Sequence, residues 1–299
     1  DKLDRWIDLA TSVGIKYFEM AHLFTQWGAK HAPKIMATVD GEYRRIFGWE
    51  TDASGEEYAT FLKCFLRELI TYLKGKGIDD RCFYHISDEP SIDHIEDYMK
   101  AKEIVGDILK DYKIMDALSN YDFYSQGLLS TPIPSMEQID PFLENEVPDL
   151  WTYYCCRCAI ALPSPCTRIT GTQFYKFNIA GFLHWGYNFY FNQYSKKPIN
   201  PYQVTDGEYF VPSGDAFTVY PAPDGTAYES IRLIAFHEGL QDMRALKLCE
   251  ELYSRDFVLD LIEEDIDKPL TFSEFPADAE YLLNLREKIN MEIKKGINK

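Results

Sequence analysis

The sequence predicts an α/β fold on a parallel sheet, of the (β/α)8 TIM-barrel type with its first two strands absent from this chain. Strand-like and helix-period segments alternate along most of its length, and such alternation implies parallel strands joined by helices. The 299 residues are within reach of an α/β barrel, which commonly takes about 250. The chain also opens on a helix: "DKLDRWIDLATSVG" is amphipathic and stops at Gly14, and a strand follows. Six strands can be read where a closed barrel needs eight. An open, doubly wound sheet also fits six strands; the helix-first start favours a barrel whose leading two strands precede Asp1. Residues 1–299 then form one partial barrel domain, with 254–299 as C-terminal helices.

The elements follow in order. "IKYFEM" (15–20) places β-branched and aromatic residues after a glycine stop and reads as a strand. Residues 21–55 read as a long loop containing Gly41, Gly48 and Trp49. "EEYATFLKCFLRELITYLKGKG" (56–77) repeats apolar residues at helical spacing and ends on Gly75 and Gly77. A strand at 81–87 and a helix at 91–112, with Ser91 as N-cap, come next. Strands at 113–118 and 149–154, a helix at 166–180 and a strand at 181–186 continue the alternation. A Pro-, Gly-, Asn- and Tyr-rich loop (191–214) precedes the last strand, 216–220, and helices over 227–253 and 277–296 close the chain.

Composition excludes several classes of function. Lys plus Arg is 31 and Asp plus Glu 48, so the net charge is 31 − 48 = −17, which disfavours nucleic acid or an anionic membrane surface as partner. No apolar run approaches the roughly 20 residues of a membrane span. The seven cysteines are odd in number and scattered, unlike a disulfide framework. Cys155, Cys156, Cys158 and Cys166 lack the paired spacing of a zinc site and read as buried, reduced thiols, which leans toward a reducing, cytoplasmic setting. No G-x-G-x-x-G follows a strand and no H-E-x-x-H occurs, so neither a cofactor nor a metal is called for. Aromatic residues make up 15%, and flat rings suit the C–H faces of sugars.

"FYHISDEPS" (83–91) drives an apolar strand into two adjacent carboxylates, Asp88 and Glu89. Like charges at that spacing repel, and more so where it is dry. In a parallel barrel active groups sit at the C-terminal ends of strands. The strand ends gather His22, Asp88, Glu89, Asn120, Tyr153, Tyr154, Trp185, Tyr187 and Asn188. Carboxylates among rings are what glycoside hydrolysis needs. Strand neighbours normally point to opposite faces, but Pro90 breaks the strand at once and lets both carboxylates turn to one side. Two carboxylates on one face suit a substrate that supplies its own nucleophile, the oxygen of a 2-acetamido group.

These segments resemble glycoside hydrolase family 123. The resemblance is carried by "HLFTQWGA" (22–29), "GWET" (48–51), "HISDEP" (85–90), "FLHWGYN" (182–188), "GDAFTVYP" (214–221) and "SIRLIAFHEGLQD" (230–242). It implies a (β/α)8 barrel and a retaining exo-β-N-acetylgalactosaminidase working through an oxazoline. By that resemblance Asp88 orients the acetamide and Glu89 is the general acid/base; His22, Asn120, Tyr153, Trp185 and Tyr187 are candidates for binding a glycan or glycoconjugate. Family members carry an N-terminal β-sandwich and two barrel strands before the segment matching Asp1, so the chain reads as part of a longer protein. Two other functions fit: hydrolysis of another 2-acetamido sugar, and an inactive carbohydrate-binding barrel, against which the intact Asp88–Glu89 pair argues.

Each residue also has a plain structural alternative. Asp88 and Glu89 could be helix N-terminal charges, Tyr153 and Trp185 core rings, His22 a loop histidine, and Asp215 a turn residue. "HEGLQD" (237–242) reads as a helix-packing and capping element rather than part of a site.

Overall fold

The apolar spacing of the first segment forms helix α1 (Lys2–Ser12), which buries Ile7 and Ala10 and sets Trp6 edge-on to Phe18 at 5.4 Å. The chain is described by a computed structural model over residues 2–298; Asp1 and Lys299 lie outside the described residues. Its internal contacts separate residues 1–134 from 135–299.

In the first unit α1 leads into strand β1 (Phe18–Glu19), then a hairpin of β2 (Ile35–Val39) and β3 (Glu42–Phe47). That hairpin lies inside the predicted loop. Its signal is Asp40-Gly41, both at positive φ (53° and 86°), the pair of left-handed residues that a two-residue hairpin turn needs. Helix α2 (Glu56–Lys76) buries Tyr58, Leu62, Leu66, Ile70 and Leu73 at helical spacing and ends on left-handed Gly77, as its sequence predicts. Each such side chain contributes about 1.5–3 kcal/mol of transfer free energy. Strand β4 (Cys82–Tyr84), helix α3 (Ile95–Leu109), strand β5 (Lys113–Ala117), helix α4 (Tyr121–Ser125) and strand β6 (Thr131–Ile133) follow. The order β1-β4-β5-β6 forms a parallel sheet, with Phe18 opposite Cys82, Phe83 opposite Lys113 and Met115 opposite Thr131.

The second unit runs through helix α5 (Asp140–Glu144), strand β7 (Trp151–Tyr153), helices α6 (Ser164–Arg168) and α7 (Thr170–Lys176), and strand β8 (Gly181–Leu183). Strands β7 and β8 pair in parallel. Strands β9 (Val219–Pro221) and β10 (Ala227–Glu229) follow, then helices α8 (Ile231–Leu252), α9 (Arg255–Glu263) and α10 (Ala279–Ile297). Asp242 of "HEGLQD" is buried and bonded to Arg168 of α6 (2.7 and 3.1 Å) and Arg286 of α10 (2.8 Å), which is the packing role its sequence suggested.

The chain thus has an α/β fold with a parallel sheet, but its strands are not all those predicted. Residues 219–221 pair antiparallel with 227–229, because the short 222–226 link closes a local hairpin before α8 can start. Strand β6 was not predicted: it is three residues with a central Pro132, whose β-propensity is poor. The buried-thiol reading holds for Cys158 alone of its four; Cys155 and Cys156 are exposed and Cys166 half-buried, and all seven cysteines are free. No described helix is long and apolar enough to cross a membrane.

Candidate active site

Strand β4 stops at Tyr84, four residues before Asp88, yet the backbone beyond it stays ordered by pairing with the segment after β1. Leu23 N–H donates to His85 O (3.1 Å), Phe24 N–H to Ile86 O (3.0 Å) and Trp27 N–H to Asp88 O (2.8 Å). On the other side Glu89 N–H donates to Ala117 O at the end of β5 (2.9 Å). The Asp88–Glu89 peptide is therefore stitched to both neighbours. Glu89 itself has φ +46°, a left-handed backbone that costs a non-glycine residue about 1–3 kcal/mol and persists only where the surroundings impose it. This turn, together with Pro90, interrupts the strand alternation. Asp88 is half-buried and Glu89 exposed.

The electrostatics behind the pair are unusual. Asp116 on β5 is fully buried and accepts from Ile86 N–H (2.9 Å), Ser87 N–H (3.3 Å) and the Tyr98 hydroxyl (2.7 Å). His85, also fully buried, places Nε2 2.8 Å from Glu19 Oε1 and Nδ1 3.5 Å from Asp116 Oδ1. Neither ring nitrogen is aligned for a good hydrogen bond, so these are close ion-pair contacts. Burial works against the imidazolium, but Asp116 and Glu19 outweigh it and hold the His85 pKa up at about 9. His22 tilts against His85 at 4.7 Å between ring centroids; burial first, then the His85 charge, push its pKa down to about 4. His22 itself is exposed to solvent. Asp88 is raised to about 7 by burial, then by Glu89 and Asp116, with His85 opposing.

Asn120 is the N-cap of α4, its Oδ1 accepting from Phe123 N–H at 2.7 Å, so its oxygen is committed to the fold.

In the second unit the residues in and just after β7 and β8 form an aromatic cluster. Tyr153 is buried, as is Tyr154, whose hydroxyl meets Cys158 Sγ at 2.7 Å. His184 stands among Phe182, Tyr154, Tyr187 and Phe236, and burial lowers its pKa to about 4. Trp185 is half-buried and donates from Nε1 to Asp215 Oδ2 (3.2 Å), while Tyr187 is 44% exposed. Asp215 is no mere turn residue. It is buried and also accepts from Cys156 N–H (3.0 Å) and Cys158 N–H (3.4 Å). Gly186 (φ +69°) fits here alone, since a Cβ would come within 2.5 Å of the Asp215 carbonyl. Buried Arg232 clamps the same loops by donating to the carbonyls of Cys158, Phe217 and Gly214.

Sequence reasoning thus pointed to His22, Asp88 and Glu89; the ring of His22 meets His85, the His85 charge acts on Asp88, and Glu89 is next to Asp88 in the chain. It passed over Glu19, His85, Asp116 and His184. The available signal was a carboxylate or imidazole inside a strand-like run, "KIMDAL" and "FYHIS".

The profile for the glycoside hydrolase 123 catalytic domain matches residues 1–249. The chain belongs to glycoside hydrolase family 123. A solved structure of a family 123 glycoside hydrolase from Clostridium perfringens, studied for the details of glycolipid glycan hydrolysis, is similar to it with a TM-score of 0.61 and 17% identity. The match covers 99% of this family 123 chain and 54% of that one, so the chain spans about half the length of that structure. No curated protein sequence matches.

Proposed function

We propose that this chain is the catalytic part of a retaining exo-glycosidase that removes terminal β-linked N-acetylgalactosamine by substrate-assisted catalysis. The observation that carries this reading is the Asp88–Glu89 turn, held on both sides and left-handed at Glu89. In the first step the acetamide carbonyl oxygen attacks the anomeric carbon. The bond to the leaving oxygen breaks, and Glu89 supplies that oxygen with a proton. Asp88 accepts from the acetamide N–H and steadies the positive oxazolinium ring. Water then attacks the anomeric carbon, Glu89 takes its proton, and the ring C–O bond breaks to restore the acetamide. Two inversions give net retention.

The two environments suit these roles. Asp88, short of donors and raised to about 7, gains most from an incoming N–H. Exposed Glu89 is open to the leaving group and to water. His22, Trp185 and Tyr187 are proposed to contact the sugar, with Asn120 and Tyr153 in support through their loops. Family membership and the likeness to the Clostridium perfringens structure support placing the parallel strands in a (β/α)8 barrel and a glycoconjugate in the site.

The test compares aryl 2-acetamido-2-deoxy-β-D-galactoside with its gluco epimer and with the plain galactoside, using the full-length protein. The galacto acetamido sugar is expected to be cleaved fastest. Equal cleavage of the sugar lacking the acetamide removes the substrate-assisted mechanism, and equal cleavage of the gluco epimer removes the galacto preference.

A further inference from the structure

The buried charges behind Asp88 have no part in the two steps just described, yet their bonds converge on the turn that carries them out. Asp116 accepts from the amides of Ile86 and Ser87, the two residues directly before Asp88. The next residue of β5, Ala117, accepts from the amide of Glu89, directly after it. Consecutive residues of one strand therefore grip the turn on either side of Asp88. Asp116 is buried without residual exposure, and a carboxylate in that position persists only with a full set of donors. Two amides and the Tyr98 hydroxyl donate to it, and the His85 ring adds an ion-pair contact at 3.5 Å. Glu19, half exposed at the end of β1, contacts the far side of His85, so one cation lies between two anions.

We propose that Asp116 is the positioning residue of the Asp88–Glu89 pair and that His85, held by Glu19, is the cation that offsets its charge at Asp88. This rests on the reading of Asp88 and Glu89 as catalytic. The charged and titratable groups facing Asp88 are Glu89 beside it, Asp116 on β5 and His85 after β4. Behind these stand Glu19 at the end of β1, His22 after it and Tyr98 on α3. Asp116 and His85 act on Asp88 with opposite sign, which separates their role from a purely structural one.

The acid limb of kcat/KM reports the ionisation of Asp88 in the free enzyme. Asp116→Asn keeps the side-chain shape and an acceptor oxygen but removes a negative charge; the acid limb is expected to move to lower pH, with kcat down about tenfold or more and KM little changed. His85→Gln removes the cation, and the limb is expected to move to higher pH. Tyr98→Phe removes a hydrogen bond from the same pocket without removing a charge, so its limb should stay where the unmodified protein has it. All are measured on the aryl acetamido galactoside in the full-length protein, with melting curves. Opposite shifts for Asp116→Asn and His85→Gln support the proposal. Unshifted limbs accompanied by lower melting temperatures overturn it and leave Asp116 a fold residue. If Asp116→Asn does not fold, the shift of His85→Gln decides by itself. Asp88→Asn is run alongside: if it keeps full activity, the catalytic reading fails, whereas activity lost there with no shift at Asp116 or His85 defeats this inference alone.

Discussion

Toward the C-terminal ends of the strands of residues 1–134 the polar groups are charges: Glu19, His85, Asp88 and Asp116. At the ends of β7 and β8 in residues 135–299 they are mostly rings: Tyr153, Tyr154, His184, Trp185 and Tyr187. The contrast sharpens on two aspartates. Asp116 and Asp215 are both buried, both disfavoured as anions by that burial, and both accept from two backbone amides and one side chain. Where a strand stops pairing, a buried carboxylate can satisfy the amides that the ladder leaves over. What lies next to those amides then decides its use. Asp116 fixes a turn bearing two carboxylates, and Asp215 fixes an indole.

The largest expected effect breaks the charged side. Asp88→Asn should lower kcat by about 10²–10⁴, the range for a positioned charge-stabilising group. It should also change stability with pH in a defined direction. The native Asp88 pKa of about 7 lies above the ordinary 3.8 of a free aspartate carboxyl, so between those values the folded chain holds the extra proton. Its stability therefore falls as pH rises from about 4 to 7. The variant is free of that loss and should melt higher than the unmodified protein at pH 8, with the gap closing near pH 4. A gap that does not depend on pH would show that burial does not burden the anion.

Glu89→Gln comes next. Its loss of activity should be far larger on a substrate with a poor leaving group than on one with a good leaving group, because only the former needs its proton. Equal losses on both remove the general-acid role.

Asp215→Ala tests the aromatic side. It orphans two backbone amides and the Trp185 N–H, and a buried unpaired group costs about 1–3 kcal/mol. Denaturant melts should show a loss of about 3 kcal/mol or more. Asp215→Asn, which keeps one acceptor oxygen, should shift no limb of the pH profile. Were it to shift the acid limb as Asp116→Asn is expected to, the division between charged and aromatic units would collapse.

The smallest effect is at the indole. Trp185→Phe keeps a ring but loses the bond to Asp215 and should cost about 1 kcal/mol of stability with kcat/KM nearly unchanged. Trp185→Ala should raise KM if the ring meets the sugar. A stability loss of roughly 3–5 kcal/mol with KM unchanged would make Trp185 a packing residue instead.

Much of the architecture was legible from local pattern alone. The apolar spacing from Tyr58 to Leu73 and the glycine after it settle α2, since helix bonds are made within the segment that carries the signal. Asp88 and Glu89 stand out for a similar reason, being two adjacent like charges at the end of an apolar run. Pairing partners are not local. Residues 216–220 read as one more barrel strand, but the strand formed is 219–221 and it pairs back on 227–229, and three residues around Pro132 join the parallel sheet beside β5 with almost no strand signal of their own. "KIMDAL" looks like any strand with one polar position; that Asp116 faces inward, toward amides 30 and 29 residues earlier in the chain, depends on how β4 lies against β5. By itself the sequence determined the long helices such as α2 and α10, the parallel character of the sheet and the adjacency of the two carboxylates, because period and adjacency are written in consecutive residues; the short helices α4 and α5 carried no such signal. Only the tertiary structure decided the left-handed turn at Glu89 and the buried Glu19–His85–Asp116 charges behind it, because a charge is stabilised in a dry interior by groups that distant parts of the chain bring to it.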